Sequence, residues 1–535
     1  MQTTRRVILA SMAGALALPA TATAPGPTRA DVLAAMRRAT AFMTDKAAVH
    51  GGYVWSYLPD FSRRWGELEA SATQVWVQPP GTGTVGHLFL DAYHATGDET
   101  YYAAATQAAE CLMAGQLPTG GWNYLIDFGG EAAKAEWYAT VGANAWRMEE
   151  FQHDWGNATF DDAGSSEAMQ FLLRMYLEKR DLQFKPALDR ALDFVLNSQY
   201  PNGGWPQRWP AGRSFTKHGA DYTGHITFND DVAGENIKFL AMVAQTLGDP
   251  RVGPAIRRAM DVFLITQQPA PQAGWGLQHR VDDLKPAAAR SYEPLALTTH
   301  TTAVNTAQLM TFYELTGDPK YLARVPEALD WLSRVALPRP RPDGRTHPTF
   351  LEIGTDRPLY IHRRGSNVVN GAYYADGDPA KTLAHYSSFR LVKLDELRAR
   401  YAALKATPPD KVAANSPLIH KGPLPRFFAN QDFATSDLTG GGTMAPLKAS
   451  PEVVARLLAD LNAEGYWPTP LVAASNPYRG PGPKTPTPGD YSQTHVGDAF
   501  DTSPYPTDTP VMGISTSAFI KNMGVLITAV DGGGA

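Results

Sequence analysis

The stretch EKRDLQFKPALDRALDFVLNSQYPNGGW, residues 178–205, carries the pattern that decides the fold. Its apolar residues recur at the spacing of one helix face: Leu188, Ala191, Leu192 and Val195. A Gly-Gly-Trp loop follows the helix. Similar segments end at Trp122 and Trp275, and ELTGDPKYLARVPEALDWLSRV opens a further copy at Glu314. The chain therefore consists of repeats, each with an amphipathic helix and a long loop.

A second helical pattern precedes each of these segments. It reads GTVGHLFLDAYHA, SSEAMQFLLRMYLEK, AGENIKFLAMVAQTL and TAVNTAQLMTFYEL in chain order. Helices that alternate in this way build an all-α fold, an α/α barrel (toroid) of repeated helical hairpins. We expect the long loops to gather at one end of the barrel and to form a cleft there.

The chain of 535 residues has a formal net charge of −5 and a pI of about 6.2. It contains no basic run, so nucleic acid is not an expected partner. Its start, MQTTRRVILASMAGALALPATATAPGP, has the charge, apolar run and small residues of a signal peptide, residues 1–24. Arg5 and Arg6 suit twin-arginine export, and an ordinary secretion signal remains open. We expect a secreted or periplasmic monomer that does not insert into membranes.

Composition also suggests how the mature chain is organised. The helical repeats run through residues 25–405 and predict one catalytic domain. Residues 406–535 begin with Pro- and Gly-rich segments such as ATPPDKVAANSPLIHKGPLPRFF. We interpret them as a C-terminal extension packed on the barrel. Cys111 is the one cysteine, so no intrachain disulfide can form.

Two adjacent repeats share an acidic motif before a helix. TFDDAGSSEAMQFL begins at Thr159, and TFNDDVAGENIKFL begins at Thr227. The four acids are Asp161, Asp162, Asp230 and Asp231. One interpretation is that they cap helix N-termini. The other is that neighbouring loops bring them together around a calcium ion, which binds six to eight oxygens.

The other loops supply further candidates. Trp205 is positioned either to stack on a sugar or to plug the barrel as a repeated structural element. His279 is either an acid or base or a packed loop histidine, and we predict that His279 and Lys285, in the same region, contact the substrate. Arg290 and Arg363 could bind carboxylates through paired hydrogen bonds.

Taken in order, TFDDAG, QYPNGGWPQ, HITFND and LKPAAARSYEP resemble the pectate lyases of the pectic acid lyase family, polysaccharide lyase family 10. The resemblance covers roughly residues 140–380. It implies an α/α toroid that cleaves polygalacturonate, an anionic polysaccharide, by calcium-dependent β-elimination. It also implies calcium binding by Asp161 and Asp230, a base role for Arg290 and a carboxylate contact for Arg363. Asp162 and Asp231 are supporting acids outside that carry-over.

The sequence departs from the family pattern in two places. Asp162 stands where the family usually has asparagine, and Val368 and Val369 stand where it tends to carry an arginine. Arginine is also an unusual base, because it is effectively always protonated. Two rival functions stay open from the residues alone: a glycoside hydrolase with an acid pair, and a non-catalytic polysaccharide-binding protein.

Overall fold

The computed structural model of the chain consists mainly of paired helices. It describes residues 26–145, 149–212, 221–364, 372–383, 387–429, 449–475, 480 and 504–532. The predicted signal peptide, Val368 and Val369 lie outside these residues. The α-helices are α1 (Arg29–Phe42), α2 (Thr82–Thr96), α3 (Glu99–Ala114), α4 (Gly130–Ala139), α5 (Gly164–Lys179), α6 (Lys185–Ser198), α7 (Val232–Thr246), α8 (Val252–Thr266), α9 (Thr299–Thr316), α10 (Lys320–Ala323), α11 (Val325–Val335), α12 (Leu394–Ala406), α13 (Pro409–Val412), α14 (Pro451–Asp460) and α15 (Thr516–Asp531).

The loops contain β-strands, most of them only two residues long. They are β1 (Ser56–Tyr57), β2 (Arg64–Trp65), β3 (Glu69–Ala70), β4 (Gln74–Trp76), β5 (Leu125–Asp127), β6 (Ala158–Thr159), β7 (Arg208–Trp209), β8 (Ile226–Thr227), β9 (Gln278–His279), β10 (Pro286–Ala287), β11 (Leu297–Thr298), β12 (His347–Pro348), β13 (Phe350–Leu351), β14 (Pro358–Arg364), β15 (Ala372–Asp376), β16 (Phe389–Arg390), β17 (Thr469–Ser475) and β18 (Pro504–Ser515). The sheet orders are β17-β18-β1-β2-β3, β11-β13-β14-β15, β10-β9-β8 and the pairs β12-β16, β4-β5 and β6-β7.

The helices form the predicted all-α barrel of hairpins. α2 packs against α3, α5 against α6, α7 against α8, and α9 against α11. α2 also contacts α5, and α5 contacts α7, so these are neighbouring inner helices. α5 is buried on nearly every side because helices surround it, whereas α6 buries one stripe. α2 and α9 each end at a glycine in the left-handed region, Gly97 at φ 69° and Gly317 at φ 67°, which allows a tight C-terminal turn.

The Gly-Trp loops fasten one repeat to the next. Trp122, Trp205 and Trp275 are fully buried. The indole N–H of Trp205 donates to the carbonyl of Val195, 2.8 Å away, on the helix just before it. Its own carbonyl accepts the N–H of Thr227 at 2.9 Å, which holds the strand that precedes the next inner helix, α7. The prediction that Trp205 contacts substrate is therefore wrong, since the ring fills the core between repeats.

The end of the chain also enters the barrel core. α15 packs against α2 and α1, and Phe519, Met523 and Leu526 join the same hydrophobic core as the inner helices. The described residues after 405 are thus continuous with the barrel, and the domain boundary predicted there stays a prediction. Within the described residues, no helix is long and apolar enough to cross a membrane.

A segment near residue 428 closes the barrel at the C-terminal ends of α2 and α5. The N–H groups of Phe428 and Ala429 donate to Asp91 at 2.7–3.1 Å. Arg174 pairs with the same carboxylate at 2.8 Å, and its guanidinium lies over the Phe428 ring. The acidic motifs stand at the opposite end, where the inner helices begin.

Candidate active site

Two equivalent turns lead into α5 and α7. Each follows a short strand and a phenylalanine, and each is one turn of 3-10 helix, at residues 161–163 and 229–231. In both, the last two residues adopt positive φ: 49° and 56° at Asp162 and Ala163, and 52° at both Asp230 and Asp231. Such angles are uncommon outside glycine and often mark functional sites. The shared backbone makes Asp162, and not Asp161, the structural counterpart of Asp230.

Asp161 occupies the first position of its turn and is fully buried. Its Oδ2 accepts a hydrogen bond of 2.5 Å from the hydroxyl of Tyr124 and another from the guanidinium of Arg290. Burial by itself would raise the pKa of Asp161. The charge of Arg290 and hydrogen bonds from Tyr124 and Gln207 outweigh burial and hold that pKa below its usual value. Asp161 is therefore an ionised carboxylate inside the protein.

Asp162 and Asp230 add two more carboxyl groups beside Asp161. Gln78 donates to Asp162 at 2.8 Å, and Asn229 donates to Asp230 at 2.6 Å. Loss of water around the carboxyl group of Asp162 raises its pKa well above the usual value, and repulsion from Asp230 and Asp161 raises it further. The side chain of Asp230 still reaches solvent, so this end of the cluster is open. Three close acids of this kind favour the arrival of a cation.

Arg290 is the cation that the fold itself supplies. It is 3% exposed and makes ion pairs with three carboxylates: Asp161, Glu150 at 3.3 Å and Glu293 at 3.0 Å. Glu293 also accepts the main-chain N–H of Arg290 at 2.8 Å, which fixes the turn. Burial opposes the charge, yet the three acids prevail and raise the pKa of Arg290 above its already high value.

The predicted base role of Arg290 meets a direct obstacle in this geometry. A base must be neutral, and three carboxylates stabilise the protonated guanidinium. Arg290 does lie beside Asp161, as expected. It is a buried and charged group, so its base role stays a prediction that would first require its contact with Asp161 to weaken.

Part of the chain matches a known protein family. Residues 127–371 match the family model described as pectic acid lyase. This part of the chain is similar to the pectic acid lyase family. The match includes Asp161, Asp230 and Arg290, and it confirms the predicted class of enzyme, a polysaccharide lyase. Among curated proteins, none matches the chain.

Solved structures give weaker similarities. A family 10 polysaccharide lyase from Cellvibrio cellulosa is 21% identical over 52% of this chain and 84% of its own, with a TM-score of 0.37. A mutant of that lyase in complex with trigalaturonic acid is 20% identical, covering 52% of this chain and 85% of its own, also with a TM-score of 0.37. The cellobiose 2-epimerase from Spirochaeta thermophila is 12% identical over 94% of this chain and 97% of its own, with a TM-score of 0.40.

Asp231 does not join the carboxylate cluster. It accepts a hydrogen bond from Gln308 on α9 at 3.1 Å. Burial and the charge of Glu235 raise the pKa of Asp231 to about 7. The prediction that Asp231 supports the metal is therefore wrong: it occupies the N-cap position of α7 and faces α9.

His279 is also a structural residue. It is fully buried, its Nε2 accepts the N–H of Gly276 at 3.0 Å, and its Nδ1 donates to the carbonyl of Leu284 at 2.8 Å. Burial lowers the pKa of His279 to about 4, so the ring is neutral. Its predicted contact with substrate is wrong, because both nitrogens are used within the loop. Lys285 is exposed beside it, and its contact with substrate stays a prediction.

Arg363 lies on β14, opposite Tyr373 of β15, and is fully buried. Tyr373 in turn packs edge-on against Tyr292, which is two residues after Arg290. Their ring centroids are 5.5 Å apart. The β14–β15 hairpin therefore stands next to the Arg290 turn. The predicted contact of Arg363 with a substrate carboxylate stays a prediction, and it would require the buried side chain to become accessible.

Four residues of the site were missed from the sequence: Tyr124, Glu150, Gln207 and Glu293. Glu150 is buried, and burial together with repulsion from nearby acids raises its pKa to about 7. Gln207 and Glu293 lie inside the quoted motifs, QYPNGGWPQ and LKPAAARSYEP, and were within reach of the sequence argument. Tyr124 and Glu150 precede the motifs, and no sequence signal marks them.

The donor atoms of the site fit calcium in kind. Asp161 Oδ1 and Gln207 Oε1 are buried oxygens without a hydrogen-bond partner, and calcium prefers such oxygen ligands. The carboxyls of Asp162 and Asp230 repel Asp161 and would be relieved by a cation. Within the described ranges, however, no three His, Cys, Asp or Glu side chains are arranged around one point as a metal site. Water and substrate would have to complete the coordination.

Proposed function

We propose that the protein is a calcium-dependent pectate lyase that works outside the cytoplasm. The observation that carries the proposal is the buried contact of Asp161 with Arg290, in a turn shared by two repeats of a pectic acid lyase region. Asp162 and Asp230 lie beside that contact. Acids are thereby concentrated around one fixed cation, Arg290. Such a site could bind a divalent ion through the acids and an anionic sugar through the ion and the arginine. The apolar run at the N-terminus supports export.

The reaction would be a β-elimination on a galacturonate unit. A base removes the proton at C5, the electron pair forms a C4–C5 double bond, and the glycosidic oxygen at C4 leaves and takes up a proton. The C5 proton is α to a carboxylate and is weakly acidic. Catalysis therefore has to stabilise the negative charge that spreads from C5 into this carboxylate.

The acidic residues would hold the ion that assists this step. Asp161 offers its unpartnered Oδ1, Asp230 offers the carboxyl that opens to solvent, and Asp162 stands between their charges. When bound, calcium would supply positive charge next to the uronate carboxylate.

Arg290 would serve first as a charged group at the reaction centre. Its guanidinium is held by Glu150, Glu293 and Asp161, so its position is fixed before substrate arrives. A fixed cation stabilises developing negative charge without reorganisation. Arg290 could accept the C5 proton only after its contact with Asp161 weakens, since that contact keeps the guanidinium protonated.

The test is a direct assay of the products. Purified protein is incubated with polygalacturonate, with calcium or with a chelator, and the ultraviolet absorbance of the C4–C5 double bond is followed. We expect absorbance to rise with calcium and to stop in chelator. Reducing ends without absorbance would indicate a hydrolase and overturn the proposal, and binding without either product would indicate a binding protein.

A matched pair of variants connects the assay to the site. Asp161→Asn keeps the size of the side chain and removes the charge that Arg290 and Tyr124 contact. Asp98→Asn removes a carboxylate on the outside, where Asp98 caps α3. We expect Asp161→Asn to abolish most turnover and Asp98→Asn to leave it intact. Full activity in Asp161→Asn would place the reaction elsewhere.

A further inference from the structure

Arg208 is a buried arginine without an acidic partner. It is 1% exposed, and among the described residues no carboxylate lies within ion-pair distance of its guanidinium. Its Nη1 makes only long hydrogen bonds, 3.3 Å to Asn157 and 3.4 Å to Asn123. Its Nη2 has no hydrogen-bond partner. Arg174 and Arg290, which are buried to a similar degree, each have at least one carboxylate.

The fold places this cation next to the candidate active site. Arg208 pairs with Thr159 in the β6–β7 ladder, two residues before Asp161. Its guanidinium carbon lies 5.2 Å from the ring centroid of Tyr124, whose hydroxyl donates to Asp161. Trp155 lies at the same distance, 5.2 Å. The aromatic rings cover the guanidinium and leave its Nη2 edge as the unused donor.

An unpaired buried cation is costly to maintain. Arginine is rarely fully buried unless it is paired, and each buried donor without a partner costs about 1–3 kcal/mol, more for a charged group. Neutral asparagine oxygens and aromatic rings offset only part of this cost. Such a group is typical of a binding site in which the ligand brings the missing charge.

We propose that Arg208 binds a carboxylate of the substrate, on a uronate unit adjacent to the one held at Asp161 and Arg290. The inference rests on the proposed function and adds a determinant of specificity to it. The carboxylate would take the unpartnered Nη2 together with Nη1, replacing the two long bonds to Asn123 and Asn157, once the buried guanidinium becomes accessible. A paired, charge-assisted contact of this geometry suits arginine in particular. A methyl ester carries no charge and would lose most of this contact.

The rival explanation gives Arg208 a purely structural task. Its charge would then balance Asp161 across the Tyr124 ring, and no ligand would be involved. The two explanations differ in one measurable respect. A substrate contact distinguishes free uronate from its methyl ester, whereas a structural charge affects both substrates alike.

The experiment compares polygalacturonate of low and of high methyl-ester content as substrates of wild type and Arg208→Gln. We expect KM for the low-ester substrate to rise about tenfold or more, the effect of one charge-assisted hydrogen bond, with a much smaller change for the high-ester substrate. Arg251→Gln is the control for loss of one positive charge, because Arg251 is an exposed residue at the start of α8. An equal change on both substrates, or none, would overturn the proposal.

Two further measurements keep the outcome decisive. If Arg208→Gln does not fold, Arg208→Lys retains the charge in the core; a low-ester KM equal to that of wild type would then overturn the proposal. If wild type shows no lyase activity, the proposed reaction fails but the contact can still be tested by calorimetric titration with trigalacturonate. Weaker binding by the Arg208 variant than by wild type would support the contact, and equal binding would refute it.

Discussion

The two acidic turns share a backbone and differ in what they carry. At the first position, the turn before α5 has Asp161, whereas the turn before α7 has Asn229. At the second position both have aspartate, Asp162 and Asp230. At the third position the first turn has Ala163 and the second has a further acid. One repeat thus supplies the ionised carboxylate that contacts Arg290, and the other supplies an acid that reaches solvent.

The difference shows how a repeated scaffold can specialise. Positive φ at the second position turns Asp162 and Asp230 toward the same cluster, whatever the neighbouring residues are. The third position points elsewhere, and Asp231 contacts Gln308 on α9. Adjacent acids in a sequence therefore make separate contacts, so the metal-binding prediction concerns Asp161, Asp162 and Asp230, whereas Asp231 has a structural contact.

The largest expected effect on turnover comes from replacing Arg290, which contacts Asp161 of the first turn. Arg290→Lys keeps a cation but loses the planar group that reaches Asp161, Glu150 and Glu293 together. Lysine loses its proton more easily, with an ordinary pKa near 10.4, but displacement by about 1 Å can cost on the order of a hundredfold in rate. We expect kcat to fall at least that far, while pectate still binds in calcium.

Initial rates from the absorbance assay would measure this change. Arg280→Lys is the matched control, because Arg280 precedes Arg290 in the same stretch and pairs with Asp283 at the surface. Its kcat should equal that of wild type. Near-normal turnover in Arg290→Lys would show that Arg290 anchors substrate at most, and the importance assigned to the first turn would be lost.

The sequence predicted the helices better than the site. Periodicity identified α6 because a helix face repeats within a few residues, and the recurrence of the repeat identified α2, α5, α7 and α9. Motif order identified both turns and the Arg290 loop. The direction of each acid depends on φ angles that aspartate seldom adopts, and a pattern of residue types does not reveal these. Glu150 and Tyr124 join the site only through contacts across distant loops, and Trp205 shows that an aromatic residue in a loop can belong to the core.

A pair of variants in the second turn separates the tasks of its two acids. Asp230→Asn removes a charge from the carboxylate cluster, so we expect calcium affinity to fall about tenfold or more. Asp231→Ala removes the hydrogen bond from Gln308, so we expect a loss of about 1 kcal/mol in the free energy of unfolding and unchanged calcium affinity. Calcium titration by calorimetry and urea unfolding measure the two quantities. If both variants weaken calcium equally, the two acids act together, and the division between them is refuted.

The loops that carry Trp122 and Trp205 hydrogen-bond to the strands that lead into the two acidic turns. We expect the two loops to contribute equally to the stability of the protein. Trp122 accepts the N–H of Thr159 and Trp205 that of Thr227, at 2.8 and 2.9 Å. Replacing either by phenylalanine removes the indole hydrogen bond and leaves a small cavity, at a cost of about 1–2 kcal/mol. We expect lower melting temperatures for both variants and unchanged KM for polygalacturonate. A raised KM in Trp205→Phe alone would restore the sugar-stacking role for this residue.

The smallest expected effect is on melting temperature and concerns two glutamates at equivalent places, in the first turns of α5 and α7. Glu235 pairs with Lys238 at 2.6 Å, whereas Glu167 accepts a hydrogen bond from Thr84 and has Gln170 where the other repeat has the lysine. Burial raises the pKa of Glu167 to about 7, with repulsion from Glu235 adding to it. Its pKa in the unfolded chain is near 4.3.

The sign of the resulting pH dependence follows from this difference. Below about pH 4 the group is protonated in both states, and its contribution to stability is complete. Between about pH 4.3 and pH 7 the unfolded chain releases the proton first, so that contribution is lost as pH rises. Glu167→Gln resembles the protonated form. It should match wild type at pH 4 and melt slightly higher at pH 8, by on the order of a degree or two. Glu235→Gln leaves Lys238 without its carboxylate and should melt lower at pH 8. Melting temperatures in chelator across this range decide the matter: a Glu167→Gln curve parallel to wild type would mean that Glu167 is ionised in the folded protein and that the two repeats do not differ there.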